Sequence, residues 1–398
     1  MKIRGVVVRL VEWRARSFSD PAERLQFLQR KLGRSSAIRA SPRRALTRLP
    51  ILTTLGLALA GVGFMPACRR ALGLALPFVL ASSPAAPKAQ IAPPVVIRNS
   101  PVAPAFLPRV WQVEANRQFD LYSNGLRVEN RYQTYTQARS YLAFSRLSDE
   151  PLTSDRRTQP AGIVFHTTES HLAPFEEGQN RMLKREGEGL LEYVSRNHSY
   201  HFVIDRFGRV FRIVAEADYA NHAGNSIWAD QTWIYVNLNQ SFFGVAFEAR
   251  SQPKEGELPV NAAQVHAART LTEMLRARYG IAVDNCVTHA QVSINPAARS
   301  AGNHTDWVAN LPFEDLGLID NYARPLPSIT LFGFSAAALL EEARESPLAR
   351  GLEAAEDQVR AEAAAHNLPE NRYRHVLQTR YKDAITALHA KGILQENN

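Results

Sequence analysis

The chain has 398 residues, 45% of them hydrophobic and 21% charged, with a net charge of +9. That length and composition suit a globular protein of two or three domains with a sizeable core. Thirteen Lys/Arg against three acidic residues give residues 1–48 a charge of +10, so the rest of the chain sums to −1 and a nucleic-acid-binding body is excluded.

Residues 1–48 therefore read as a basic cytoplasmic tail. Residues 49–67, "LPILTTLGLALAGVGFMPA", carry no charge and are just long enough to span a bilayer as a helix. The basic flank before them keeps the N-terminus inside and exports the rest of the chain. So long a basic lead is unusual for a cleaved signal peptide, which favours an uncleaved signal anchor. The expected location is the cell envelope, anchored in the inner membrane with the body outside the cytoplasm. Residues 68–100 add a short apolar run and a Pro/Ala-rich linker. The two cysteines, Cys68 and Cys286, make no disulfide framework.

In residues 101–153, "QFDLYSNGLRVEN" sets Asn124-Gly125 between two alternating runs, a strong hairpin signal. From residue 154 to 326 strands and helices alternate. "IVFHTTES" (Ile163–Ser170) is an apolar, β-branched strand ending on His166. "HFVIDRFGRVFRIV" (His201–Val214) is a hairpin turning at Gly208, and "SFFGVAFEAR" is a strand with Phe243, Val245 and Phe247 on one face and Gly244, Ala246 and Glu248 on the other. "NAAQVHAARTLTEMLRARYG" is a helix with Asn261 as N-cap, Gln264 completing a capping box, Gly280 as stop, and a stripe of Val265, Ala268, Leu271 and Leu275. "CVTH" is a second short strand that closes on a histidine, His289. Residues 327–398 turn to Ala/Glu/Arg/Leu and predict two or three helices broken near "NLPEN". No chemistry stands out there, and packing on the domain or contact with a protein partner both remain open.

Eight of the eleven histidines fall between His166 and His304. His166 and His289 end strands, and "GNHTDW" offers His304 and Asp306 in a loop. Two imidazoles and a carboxylate leave one position of a tetrahedral zinc ion open, the layout of a hydrolytic site. Residue chemistry alone does not establish this, and leaves a structural role for these histidines open. His201 reads as structural or as a support for the first ligand, and His171, His198 and His266 as solvated residues.

The ordered blocks "IVFHTTES", "SYHFVIDRFGRVFRIV", "NHAG", "NQSFFGVAFE", "VTHAQVS" and "NHTDW" resemble the N-acetylmuramoyl-L-alanine amidase type 2 family, which includes amidase-type phage lysozymes and peptidoglycan recognition proteins. The resemblance runs from about Gln159 to Leu318. It implies an α/β fold, with a central mixed β-sheet flanked by helices and a zinc groove, between the N-terminal membrane segment and the C-terminal helical extension. It also implies Zn2+ held by His166, His289 and Asp306, His222 on substrate, and hydrolysis of the amide between N-acetylmuramic acid and L-alanine in peptidoglycan or muropeptides.

Two positions depart from the family pattern. The usual glutamate of a "GIE" block is Ala246, which leaves Glu248 or Glu169 to move the proton. The lysine of a "KTD" block is His304, which either stabilises the oxyanion or caps its loop. Ala246 also supports a rival reading, a non-catalytic, membrane-tethered peptidoglycan-binding module. A third reading is an anchored scaffold whose C-terminal helices hold an envelope partner.

Overall fold

The computed structural model describes residues 108–146, 153–224, 226–251 and 259–392, all of them within one compact unit. The expected anchor at 49–67, its basic lead and the linker to residue 100 lie outside the described residues. Among the described residues no helix is long and apolar enough to cross a membrane.

Strands β1 (Gln112–Ala115), β2 (Phe119–Tyr122) and β3 (Arg127–Glu129) form an antiparallel ribbon. The Asn124-Gly125 turn joins β2 to β3, and Gly125 takes φ +85°, a left-handed backbone that glycine adopts without strain. β4 (Tyr141–Ser145) and β5 (Ser154–Arg157) pair antiparallel. β6 (Gly162–Thr167) is the strand of the "IVFHT" run, buried along its whole length, and helix α1 (Asn180–Arg196) follows it. β7 (Phe202–Ile204) and β8 (Val210–Arg212) make the expected hairpin. Then come β9 (Ile227–Ala229), β10 (Trp233–Val236) and β11 (Phe242–Phe247).

Helix α2 (Ala262–Tyr279) begins at the Asn261/Gln264 capping box, with both reciprocal bonds made, and stops at Gly280 with φ +67°. Its buried stripe is Gln264, Ala267, Ala268, Leu271, Met274 and Leu275, with Val265 only half-buried at its margin. β12 (Cys286–Thr288), the short β13 (Ile294–Asn295) and β14 (Ser300–Ala301), and helices α3 (Leu348–Ala365) and α4 (Glu370–Ala390) complete the chain. The break between the last two falls at "NLPEN".

The central sheet is mixed and eight-stranded, in the order β1-β2-β3-β8-β7-β11-β6-β12. Its centre is parallel: β11 lies between β6 and β7, and β12 runs beside β6. A second, antiparallel sheet, β5-β4-β10-β9, was not foreshadowed by any turn signal. The two-residue period of the strands divides the core. Ile163, Phe165, Phe243, Val245 and Phe247 face α2. On the opposite face Val164 and Phe242 meet Trp228 and Tyr235 of the second sheet, and Val203 and Ala246 meet α1. His166 shares the parity of Val164 and so opens onto this second face.

The C-terminal helices pack on the domain. Leu348, Leu352, Ala355 and Val359 of α3 join the core beneath the central sheet. Tyr381, Ala384 and Leu388 of α4 cover Leu142, Phe144, Ile227 and Ile234 of the second sheet. The contact is backbone-close at Gly351, where a Cβ would stand 2.3 Å from the Tyr322 carbonyl oxygen.

Candidate metal centre

Three elements converge at the C-terminal end of the parallel strands. His166 is the fifth residue of β6. His289 does not end β12 as the sequence pattern predicts: it opens a one-turn helix, His289–Val292, because Thr288 and Gln291 form a capping box there. Asp306 comes from the loop after β14, and its backbone carbonyl accepts the Ala290 N–H at 3.1 Å. The next residue along, Trp307, holds φ +60° and buries its ring against Phe247. That left-handed backbone costs on the order of 1–3 kcal/mol and fixes where Asp306 can point.

The Asp306 carboxylate bridges the two rings. Oδ2 lies 3.1 Å from His166 Nδ1, and Oδ1 lies 2.7 Å from His289 Nδ1. The ring centroids of the two histidines are 4.4 Å apart, and one donor atom from each of the three residues lies within 4.8 Å of the others. All three side chains are buried, His166 to 1% exposure. With bonds of about 2.1 Å, a tetrahedral zinc ion sets its ligand atoms about 3.4 Å apart, so this donor set fits one by chemistry and by spacing.

The electrostatics favour the protonation state a metal needs. Desolvation, helped by the neighbouring His289, pushes His166 down to about 4 and keeps its ring neutral. Burial alone would raise Asp306, but the imidazoles beside it, His289 foremost, hold the carboxyl well below its ordinary range. Neutral imidazole and ionised carboxylate are the ligating forms.

Around the three lie further imidazoles. His222 Nδ1 is 3.1 Å from His166 Nε2, and its own Nε2 is 3.3 Å from the Phe242 carbonyl oxygen. Desolvation, with His166 and His201 nearby, holds His222 well below its usual range. His304 stacks on His289 with centroids 4.6 Å apart and planes 16° from parallel, and its backbone brackets the Ser293 hydroxyl. His201 is fully buried and accepts the Gly244 N–H at Nδ1.

Residues 156–307 match the family model described as N-acetylmuramoyl-L-alanine amidase. That segment, less than half of the chain, is similar to the N-acetylmuramoyl-L-alanine amidase type 2 family. AmiD of Escherichia coli K12, an N-acetylmuramoyl-L-alanine amidase, is 33% identical over 89 residues, which is 21% of this chain and 31% of AmiD, so the match spans about a third of that relative's length. Among solved structures, AmpDh3 from Pseudomonas aeruginosa in complex with anhydromuramic pentapeptide aligns at 22% identity over 50% of this chain and 78% of its own, with a TM-score of 0.31. The amidase LysC from Clostridium intestinale aligns at 20% identity over 46% of this chain and 93% of its own, with a TM-score of 0.26.

Against the type 2 amidase pattern the carboxylates are the departure. Ala246 is fully buried and sits in register with His166 across the β11–β6 pair. Glu248 lies further along the same strand face, and its Oε2 accepts the Arg206 N–H at 3.1 Å, on the β7 side of β11 and away from β6. Desolvation raises it to about 7. Glu169 is exposed at the end of β6, with φ +48°, and its carboxylate takes the Thr167 hydroxyl at 2.6 Å and the Ser251 N–H. Neither glutamate touches the three-residue cluster.

Four contributors were not among the expected site residues. Asn239 Oδ1 accepts the backbone N–H groups of His222, Ala223 and Gly224 at 2.8, 2.7 and 2.9 Å, which fixes the "NHAG" loop. Tyr200 stands 5.1 Å from the His166 ring. Gly244 leaves room for His222, since a Cβ there would come within 2.6 Å of the ring. Arg139, 1% exposed, donates to the carbonyls of Gln240, Phe242 and Asp218. Of these, Tyr200, Asn239 and Gly244 lie inside the family-like blocks, and only Arg139 lies outside them.

Proposed function

We propose that this protein is a zinc-dependent amidase that hydrolyses the bond between N-acetylmuramic acid and L-alanine in peptidoglycan or muropeptides. The observation that carries the reading is the convergence of two imidazole Nδ1 atoms on one buried carboxylate, within a segment matched to the amidase family. A zinc ion bound there lowers the pKa of water towards neutrality and acts as a Lewis acid at an amide carbonyl. His166, His289 and Asp306 would hold the ion. Half-buried His304, stacked on His289, offers an imidazole to the oxyanion. Glu248, which desolvation raises to about 7, and Glu169 are the two candidates to move the proton. The basic lead and apolar run at residues 1–67 support a body tethered outside the cytoplasm, where the substrate lies.

Ala246 favours one second reading, a tethered module that binds the wall without cleaving it. Purified protein incubated with muropeptides and with sacculi, with and without a chelator, separates the two by mass spectrometry. Release of intact stem peptide, lost on chelation and in His166→Ala, establishes the amidase. Binding of zinc and co-sedimentation with sacculi without any product establishes the module.

A further inference from the structure

The contacts of His222 form a chain with one direction. The Phe242 carbonyl has no proton to give, so it accepts from His222 Nε2–H. A neutral imidazole carries one ring proton, which makes His222 Nδ1 an acceptor. Its partner, His166 Nε2, must then be the donor. That leaves the His166 lone pair on Nδ1, facing Asp306 Oδ2 at 3.1 Å. Two lone pairs opposed at that distance are reconciled by a cation between them.

We propose that His222 is a positioning residue that fixes the metal-binding tautomer and ring orientation of His166, in place of a contact with substrate. Both of its nitrogens are committed within the protein, which leaves none for a ligand. Three features hold it there. Asn239 accepts the N–H of His222 and those of the next two residues, which pins its loop. Gly244 supplies the space for its ring. Buried Arg139 donates to the same Phe242 carbonyl at 3.2 Å, so the acceptor that orients His222 is itself anchored by a cation. A carbonyl oxygen has two lone pairs and serves both donors. Ordering of a metal-bound histidine by the partner of its second nitrogen is typically worth 10–100-fold in metal affinity.

The inference rests on the metal-site reading above, and the test separates the two. Zinc affinity of the full-length protein is measured by competition with a chromophoric chelator, alongside the visible spectrum of the cobalt-loaded form. His222→Asn keeps an acceptor oxygen where Nδ1 stands, whereas His222→Gln reaches the Phe242 carbonyl and withdraws that acceptor. Both are polar amides of similar folding cost. We expect His222→Asn to bind zinc within about threefold of the wild type and His222→Gln to lose about 10–100-fold, with an altered cobalt spectrum. Equal zinc affinity in the two variants, or a stronger Gln variant, overturns the role of His222. Failure of the wild type to bind zinc overturns the metal site itself, and the inference with it.

Discussion

Ala246 and His166 stand side by side in the parallel register of β11 and β6, one a bare methyl and the other at the heart of the cluster. Type 2 amidases with an aspartate ligand usually place a glutamate at this point. We expect Ala246→Glu to raise stem-peptide release by about tenfold or more, while overpacking costs about 1–3 kcal/mol of stability. Turnover and a thermal melt on the same preparation check both halves. An unchanged rate would mean that the proton already travels by another group.

The Glu248 carboxyl makes stability depend on pH. Its folded value, about 7, lies above 4.5, so the native state keeps a proton that the unfolded chain has already lost. Between those two values the native state binds more protons, and stability falls as pH rises. The contribution is fully present below about 4.5 and gone above about 7, with an upper bound of about 3 kcal/mol. Urea unfolding of wild type and Glu248→Gln at pH 5 and pH 8 reads it. We expect the glutamine variant to lose less stability between the two pH values.

A zinc ion held at the proposed site by the folded protein and not by the unfolded chain would add stability by mass action. At a free concentration about 100 times the dissociation constant the gain is about 2.7 kcal/mol. We expect zinc to raise the melting temperature of the wild type and to leave Asp306→Ala unmoved. An equal rise in both would place the binding elsewhere in the chain.

Gly351 lets α3 lie against the 322–324 backbone, with its added Cβ only 2.3 and 2.6 Å from two carbonyl oxygens. Backbone cannot yield as a flexible side chain does. We expect Gly351→Ala to destabilise the protein by about 1–3 kcal/mol, although alanine is the better helix former. Urea unfolding measures the loss, and a neutral result would show that α3 can shift without cost.

The parts of the fold legible in the sequence were those whose signals are local. Asn124-Gly125 and Gly208 mark turns that only left-handed residues make easily, and Asn261 with Gln264 announces the start of α2. The pairing of β4 with β10 was not legible, because it depends on two short strands ninety residues apart in a chain that must first fold around them. His166, His289 and Asp306 were found through the ordered blocks, not through spacing. The roles of Asn239 and Arg139 escaped because they act mainly on backbone atoms, which no side-chain pattern labels. His222 was visible as a residue of interest, but its contacts depend on the register that sets Phe242 and Gly244 beside it.

The packing of α3 and α4 separates two boundaries that are easily confused. The segment matched to the family stops at residue 307, yet Leu348, Leu352 and Val359 complete the core under the central sheet, and Leu388 shields the second sheet. The module inherited in recognisable form is thus shorter than the unit that folds. Transplanting residues 156–307 into another chain would carry the His-His-Asp cluster without the floor that supports it; the piece to move is the one that ends beyond α4.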